Sequence, residues 1–421
     1  MKQTAAIIST YAADISGICS AMYELGGMTV MHDASGCNST YNTHDEPRWY
    51  DMDSLVFISG LSETEAMLGD DDKLIHDIVT AAEELQPAFI TLGGTPIPMM
   101  MGTDFPAVAR QIERETGIQT FGIDTDGMHS YISGISKAYA ILAEKICLSD
   151  VKKDEKLSIN ILGATPLDFS VNGTVQAMKR ELEKQGVQVH SIWTMDSQNT
   201  ENLFLDIQTA GAAHVNLVVS SCGIKAAKIL WERFQIPYVI GAPCGEKITE
   251  KIVEEIKRIA AECEIQDKNK GEAALDGKDV VAKKDTIVRN NAVDMKGKMC
   301  RNLCKDFPES KIIIIGESIT ALSLANALFE ENGKGAKVLC AVDTENELLS
   351  DGCIYARDEA ELIPYLNEAE VIIADPMYRP ICPDSAKFVE LPHEAFSGRI
   401  YRTQMPELVT GLNQFIESNN L

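Results

Sequence analysis

The chain has 421 residues, 45% apolar and 24% charged, and reads as globular with room for two or three domains. Its formal net charge of −25 excludes nucleic acid and an anionic membrane surface as partners, since both need clustered Lys and Arg. No apolar run reaches the length of a membrane span, and Met1-Lys2-Gln3-Thr4 lacks the regions of a signal peptide, so a cytoplasmic protein is expected.

Short apolar runs alternate with helical segments from the start. Ala5–Ser9, Met28–His32, Leu55–Ser59, Ala88–Leu92 and Thr120–Ile123 read as strands. Helices are expected at Ile15–Leu25, Asp72–Leu85, Phe105–Glu115 and Tyr131–Ile146. Runs that are apolar without alternation suit strands buried on both faces, and repeated β-then-α order implies a parallel sheet with right-handed crossovers. The charged stretch Asp150–Lys156 is a linker. Beyond it Ser158–Leu162, Val187–Ile192, Val215–Ser220 and Pro237–Ile240 form a second set of strands, with helices at Thr174–Gln185, Ile224–Phe234 and Glu246–Glu262. Ile265–Lys284 is polar and weakly periodic, and reads as a surface excursion. A helix near Ile287–Lys305 leads into a third set: Lys311–Ile315, Lys337–Ala341, Val371–Ala374 and Phe388–Leu391. The fold class expected is α/β: three Rossmann-like units, each a mainly parallel sheet flanked by helices, around a central cleft. Their boundaries fall at 1–150, 151–263 and 311–421, with 264–310 as the polar excursion and connecting helix.

Eleven cysteines are scattered, an odd count with no Cys-x-x-Cys pair. That argues against a disulfide framework and against compact ferredoxin or zinc-ribbon sites. Any metal centre is then assembled from distant positions or from two chains. Cys300 and Cys304 share a helical face, but two ligands do not make a zinc site. No Gly-x4-Gly-Lys-[Ser/Thr] occurs, so P-loop ATP hydrolysis is not expected; no Gly-x-Gly-x-x-Gly follows the first strand, so a nicotinamide cofactor is not supported.

Three regions carry candidate chemistry. The first holds two glycine turns at strand ends, Met31-His32-Asp33-Ala34-Ser35-Gly36-Cys37 and Thr91-Leu92-Gly93-Gly94-Thr95-Pro96. The second is His214 to Gly223, with Ser220 and Cys222, followed by a helix and Ile236-Pro237. The third is Glu390-Leu391-Pro392-His393 to Ser397-Gly398. Gly316-Glu317-Ser318 opens a helix after the strand Ile312–Ile315, where backbone N–H groups suit an anion such as a substrate carboxylate. The plain alternatives are a small buried turn residue for Cys37, a helix-start residue for Cys222 and a helix-capping loop residue for His393.

Tyr11-Ala12-Ala13, Val30-Met31-His32 and Gly36-Cys37, with the His214–Gly223 segment, resemble nitrogenase component I chains and their relatives, including dark-operative protochlorophyllide reductase. The resemblance implies a three-unit fold and a subunit that accepts low-potential electrons through an interfacial [4Fe–4S] cluster. It places cluster ligands at Ala12, Cys37 and Thr95 or Pro96, of which only Cys37 is a thiol; Cys19, His32 or Asp33 are secondary candidates. The family's metal-cofactor cysteine aligns with Ser220, two residues before Cys222, and its cofactor histidine falls one residue from His393. Cys222, Gly316, Ser318 and His393 would then meet in the central cleft, with His393 as ligand or acid–base group. The cleft would hold a second metallocofactor or a tetrapyrrole. Implied partners are a second component I-like chain, in a homodimer or heterodimer, and a separate ATP-dependent iron protein as electron donor. A cluster-poor scaffold or carrier for a metallocofactor or tetrapyrrole precursor is the alternative.

Overall fold

The computed structural model describes residues 12–36, 45–196, 202–275, 298–299, 307–349, 352–356 and 358–421. The expected strand Ala5–Ser9 and the residues Cys37, Cys300 and Cys304 lie outside these.

The described strands form three separate parallel sheets. The first contains β1 (Met28–His32), β2 (Leu55–Ile58), β3 (Ile90–Gly94) and β4 (Thr120–Ile123), in the order β2-β1-β3-β4. The second contains β5 (Ser158–Leu162), β6 (Gln188–Ile192), β7 (Val215–Val218), β8 (Tyr238–Ile240) and β9 (Lys298–Met299), in the order β6-β5-β7-β8-β9. The third contains β10 (Ile312–Ile315), β11 (Lys337–Cys340), β12 (Cys353–Tyr355), β13 (Val371–Ala374) and β14 (Lys387–Glu390), in the order β12-β11-β10-β13-β14. Every pairing is parallel. The central strands β1, β3, β5 and β7 are buried at every residue, which is why they read as unbroken apolar runs.

Strand order reverses between β1 and β3, between β5 and β7, and between β10 and β13. At such switch points neighbouring crossovers leave on opposite faces and open a crevice at the carboxyl ends of the strands. The residues that follow these six strands are therefore the ones placed to do chemistry.

Two segments depart from expectation. The helix Gly245–Leu275 runs on into the segment read as an excursion. Its added part, Ile265 to Leu275, includes Gln266, Lys268, Lys270, Glu272, Ala273 and Ala274, residues that favour helix without any apolar stripe. Within the expected helix Ile287–Lys305, Lys298–Met299 is instead a strand, paired with Val239 and Ile240 of β8. The open edge of β8 supplies a backbone ladder there, and tertiary pairing overrides local propensity.

Candidate ligand site between the second and third sheets

Three side chains from distant parts of the chain meet at one carboxylate. Tyr131 opens the helix Tyr131–Ile141, which crosses the helix Asp14–Met22 with no room for side chains at the contact. A Cβ on Gly134 would stand 1.8 Å from the Asp14 carbonyl oxygen, and one on Gly17 would stand 2.2 Å from that of Tyr131. Only glycine permits that approach, and it fixes where Tyr131 sits. Asp168 lies on the single helical turn Pro166–Phe169 after β5, capped by Thr165. His393 caps the helix Glu394–Tyr401 after β14, its Nδ1 accepting from the Ala395 amide at 3.3 Å. Its own amide donates to Asp375 Oδ2 at 2.8 Å.

With Nδ1 accepting, the proton of the neutral ring sits on Nε2. That nitrogen stands 3.4 Å from Asp168 Oδ1. The Tyr131 hydroxyl donates to the same oxygen. Asp168 Oδ2 is buried and receives no hydrogen bond from the described residues. Burial disfavours an imidazolium at His393, but the Asp168 carboxylate more than offsets it and holds the pKa above its ordinary 6.5. Burial, reinforced by the charge on Asp168, pushes the Tyr131 hydroxyl well above its usual range.

Asp168 and His393 line a cavity of about 120 Å³ between the second and third sheets, together with Gly316, Glu317 and Asp375. Phe169, Leu324 and Phe396 form part of its apolar wall. Glu317 corrects one expectation. The amides at the start of the helix Ser318–Asn332 are taken by the chain's own carboxylate. Glu317 Oε2 accepts from Ile319 and Thr320, at 3.1 and 3.0 Å. Its Oε1 accepts from the Ser221 amide and the Ser318 hydroxyl, both at 3.0 Å. The Ile319 and Thr320 amides that a substrate carboxylate would use are thus already taken. Burial, then the charge of Asp168, raises the Glu317 pKa. Asp375 is spent in the same way, on Met377, His393 and Ser397. Its pKa is also raised by burial.

Of the residues expected in the cleft, Gly316 and His393 line the cavity. Ser318 is buried and turned toward Glu317 and Thr344. Ser220 and Cys222 are fully buried and pair with each other, Sγ to Oγ at 3.4 Å. They are not among the cavity's lining residues. Burial, and next the charge of Asp168, holds the Cys222 thiol well above its usual range, so it is no ready thiolate. Sequence reasoning missed Asp168, Tyr131, Glu317 and Asp375. Asp375-Pro376, directly after the apolar run Val371–Ala374, was the available signal for one of them.

At the switch point of the first sheet the picture differs. Ala12 is buried, and its carbonyl accepts from the Tyr131 amide at 3.2 Å. Thr95 is buried as the cap of the short helix Pro96–Met101. Cys19 is sealed in an apolar cluster with Ile15, Tyr23, Met31 and Val56, and burial drives its thiol far up. A [4Fe–4S] cluster takes about four ligands, mostly thiolates. Among the described residues this region offers no ready thiolate, so these residues alone do not fit a cluster held by one chain. The helices Glu63–Leu68 and Pro96–Met101 pack together beside these positions and leave Met67, Leu68, Met99 and Met100 exposed.

A family model described as nitrogenase component 1 type oxidoreductase matches residues 23–347. The chain is 25% identical over 228 residues to the nitrogenase molybdenum-iron protein alpha chain of Methanothermobacter thermautotrophicus, covering 50% of this chain and 47% of that one. It is 29% identical over 185 residues to the nitrogenase iron-molybdenum cofactor biosynthesis protein NifE of Clostridium pasteurianum, covering 44% of this chain and 38% of that one. The chain thus spans about half the length, or less, of these curated relatives. Among solved structures, nitrogenase Cp1 at pH 5 superposes with a TM-score of 0.62 at 18% identity, covering 98% of this chain and 88% of that one. That likeness is one of fold. Among the described residues, no helix is long and apolar enough to cross a membrane.

Proposed function

The chain belongs to the nitrogenase component 1 type oxidoreductase family, and on that premise we propose that it is a ligand-holding scaffold or carrier. Its working site is the cavity between the second and third sheets. One observation carries this reading: Asp168, a lining residue of an apolar cavity, has a buried carboxylate oxygen, Oδ2, that takes no hydrogen bond from the described residues. A volume of about 120 Å³ is close to the roughly 150 Å³ that accepts a benzene-sized guest. That volume suits a small molecule better than a tetrapyrrole. Asp168 receives the polar end of the ligand, and Tyr131 and His393 position Asp168.

A second reading keeps the reductase. Cys37, with ligands from a second component I-like chain, would hold an interfacial [4Fe–4S] cluster supplied with electrons by an ATP-dependent iron protein. The exposed apolar residues Met67, Leu68, Met99 and Met100 favour it, as a surface that such a second chain would cover. Iron and sulfide analysis after anaerobic purification separates the two readings. The scaffold reading expects the same low iron content in wild type, Cys37→Ala and Cys147→Ala. Iron and broad visible absorption that vanish only in Cys37→Ala would overturn it in favour of the reductase.

A further inference from the structure

We propose that the ligand of the cavity is a small apolar amine, held as its ammonium by Asp168. The inference rests on the reading of this cavity as the working site. Among the described residues that line the cavity are three carboxylates, from Asp168, Glu317 and Asp375, and no lysine or arginine. Two of the three are consumed by the fold. Glu317 accepts from Ser221, Ser318, Ile319 and Thr320, and Asp375 from Met377, His393 and Ser397.

Asp168 is different. Its side chain is 0% exposed, yet only Oδ1 is engaged, by the Tyr131 hydroxyl and by His393 Nε2 at 3.4 Å. Oδ2 is buried with no donor among the described residues. A buried carboxylate oxygen left bare is costly, and a ligand N–H removes that cost with a charge-assisted hydrogen bond. Among the described lining residues His393 alone can become a cation, and it faces Oδ1, so Oδ2 keeps its demand for a donor. An anionic ligand finds the reverse: three carboxylates and no guanidinium or ammonium. Phe169, Leu324, Phe396 and Val409 supply apolar wall for the rest of the molecule.

The test uses three probes of nearly equal size on the full chain: isobutylammonium, isobutanol and isobutyrate. Binding is read by calorimetry at high salt, where the attraction of a chain of net charge −25 for any cation is screened. Isobutylammonium should bind saturably at one site, with isobutanol and isobutyrate about tenfold weaker or worse. Asp168→Asn should bring isobutylammonium down to the level of isobutanol. Should that variant not fold, the ranking of the probes on wild type decides alone. Isobutanol or isobutyrate binding as tightly as the amine would overturn the amine class and leave the cavity as a binding site. Absence of binding by every probe would overturn both.

Discussion

The switch point of the first sheet and the cavity between the second and third sheets are built from similar residues, but they use their charges differently. At the first sheet, charged groups satisfy one another. Asp14 accepts from the amides of Ile15, Asp126 and Gly127 at 2.9, 3.1 and 2.9 Å. Arg48 bonds Glu24 at 2.8 Å and Glu46 at 2.6 Å, with all three side chains buried. At the cavity, Asp168 keeps one oxygen unspent. A buried charge whose partners are all in the chain is part of the architecture. One that lacks a partner points to something the chain is built to hold.

The contrast breaks most sharply under mutation. Arg48→Ala removes the guanidinium that bonds both Glu24 and Glu46 and should cost about 3–5 kcal/mol, because both buried carboxylates lose it. Probe binding per folded molecule should stay unchanged. Asp168→Asn should do the opposite. Asparagine still accepts from Tyr131, so its stability should fall by no more than about 1 kcal/mol, while preference for the amine is lost. Urea midpoints and calorimetry on the two variants check this. If Asp168→Asn were as destabilising as Arg48→Ala, Asp168 would be architecture too.

The sheets were legible because their central strands are buried on both faces, and β1, β4, β5 and β13 begin and end where the apolar runs do. The strand β12, Cys353–Tyr355, is too short to carry a pattern and was not foreseen. Gly316 and His393 were placed because a strand–turn–helix reads locally. Asp168 was not, since its meaning depends on Tyr131 and His393, which only the tertiary fold brings to it. Glu317 was quoted as part of an anion-binding turn. A carboxylate that fills its own helix start and one that leaves the start open look alike in sequence.

The two regions should also part company in titration. His32, bonded through Nδ1 to Ser59 at 2.8 Å, is pushed down to about 4, chiefly by burial. His393 is raised, because Asp168 outweighs the burial that opposes its charge. The signs are opposite. Stability from keeping His32 neutral is present above the ordinary 6.5 and is lost as pH falls toward 4. Stability from the His393–Asp168 pair is present below 6.5 and is lost as pH rises through the folded value above it. Histidine ring resonances in protein with isotope-labelled histidine, assigned with His32→Gln and His393→Gln, report both. A His393 resonance that titrates below 6.5, or a His32 resonance that titrates near it, would erase the contrast.

The smallest effect is expected at Cys222, which local sequence suggests as a thiolate at the mouth of the cleft. Its thiol donates to Ser220 Oγ at 3.4 Å, is fully buried, and is kept protonated by burial and by the nearby Asp168 charge. It behaves as a small apolar residue, so Cys222→Ala should cost about 1 kcal/mol for one lost heavy atom. Amine binding should not change, because Asp168 and His393 line the cavity and Cys222 does not. The same calorimetry measures both quantities. If Cys222→Ala abolishes binding, or if zinc or ferrous ion binds wild type and not this variant, the thiol reaches the ligand after all. The site would then be the shared cysteine–histidine centre that the sequence suggests, and the carboxylate would be its support.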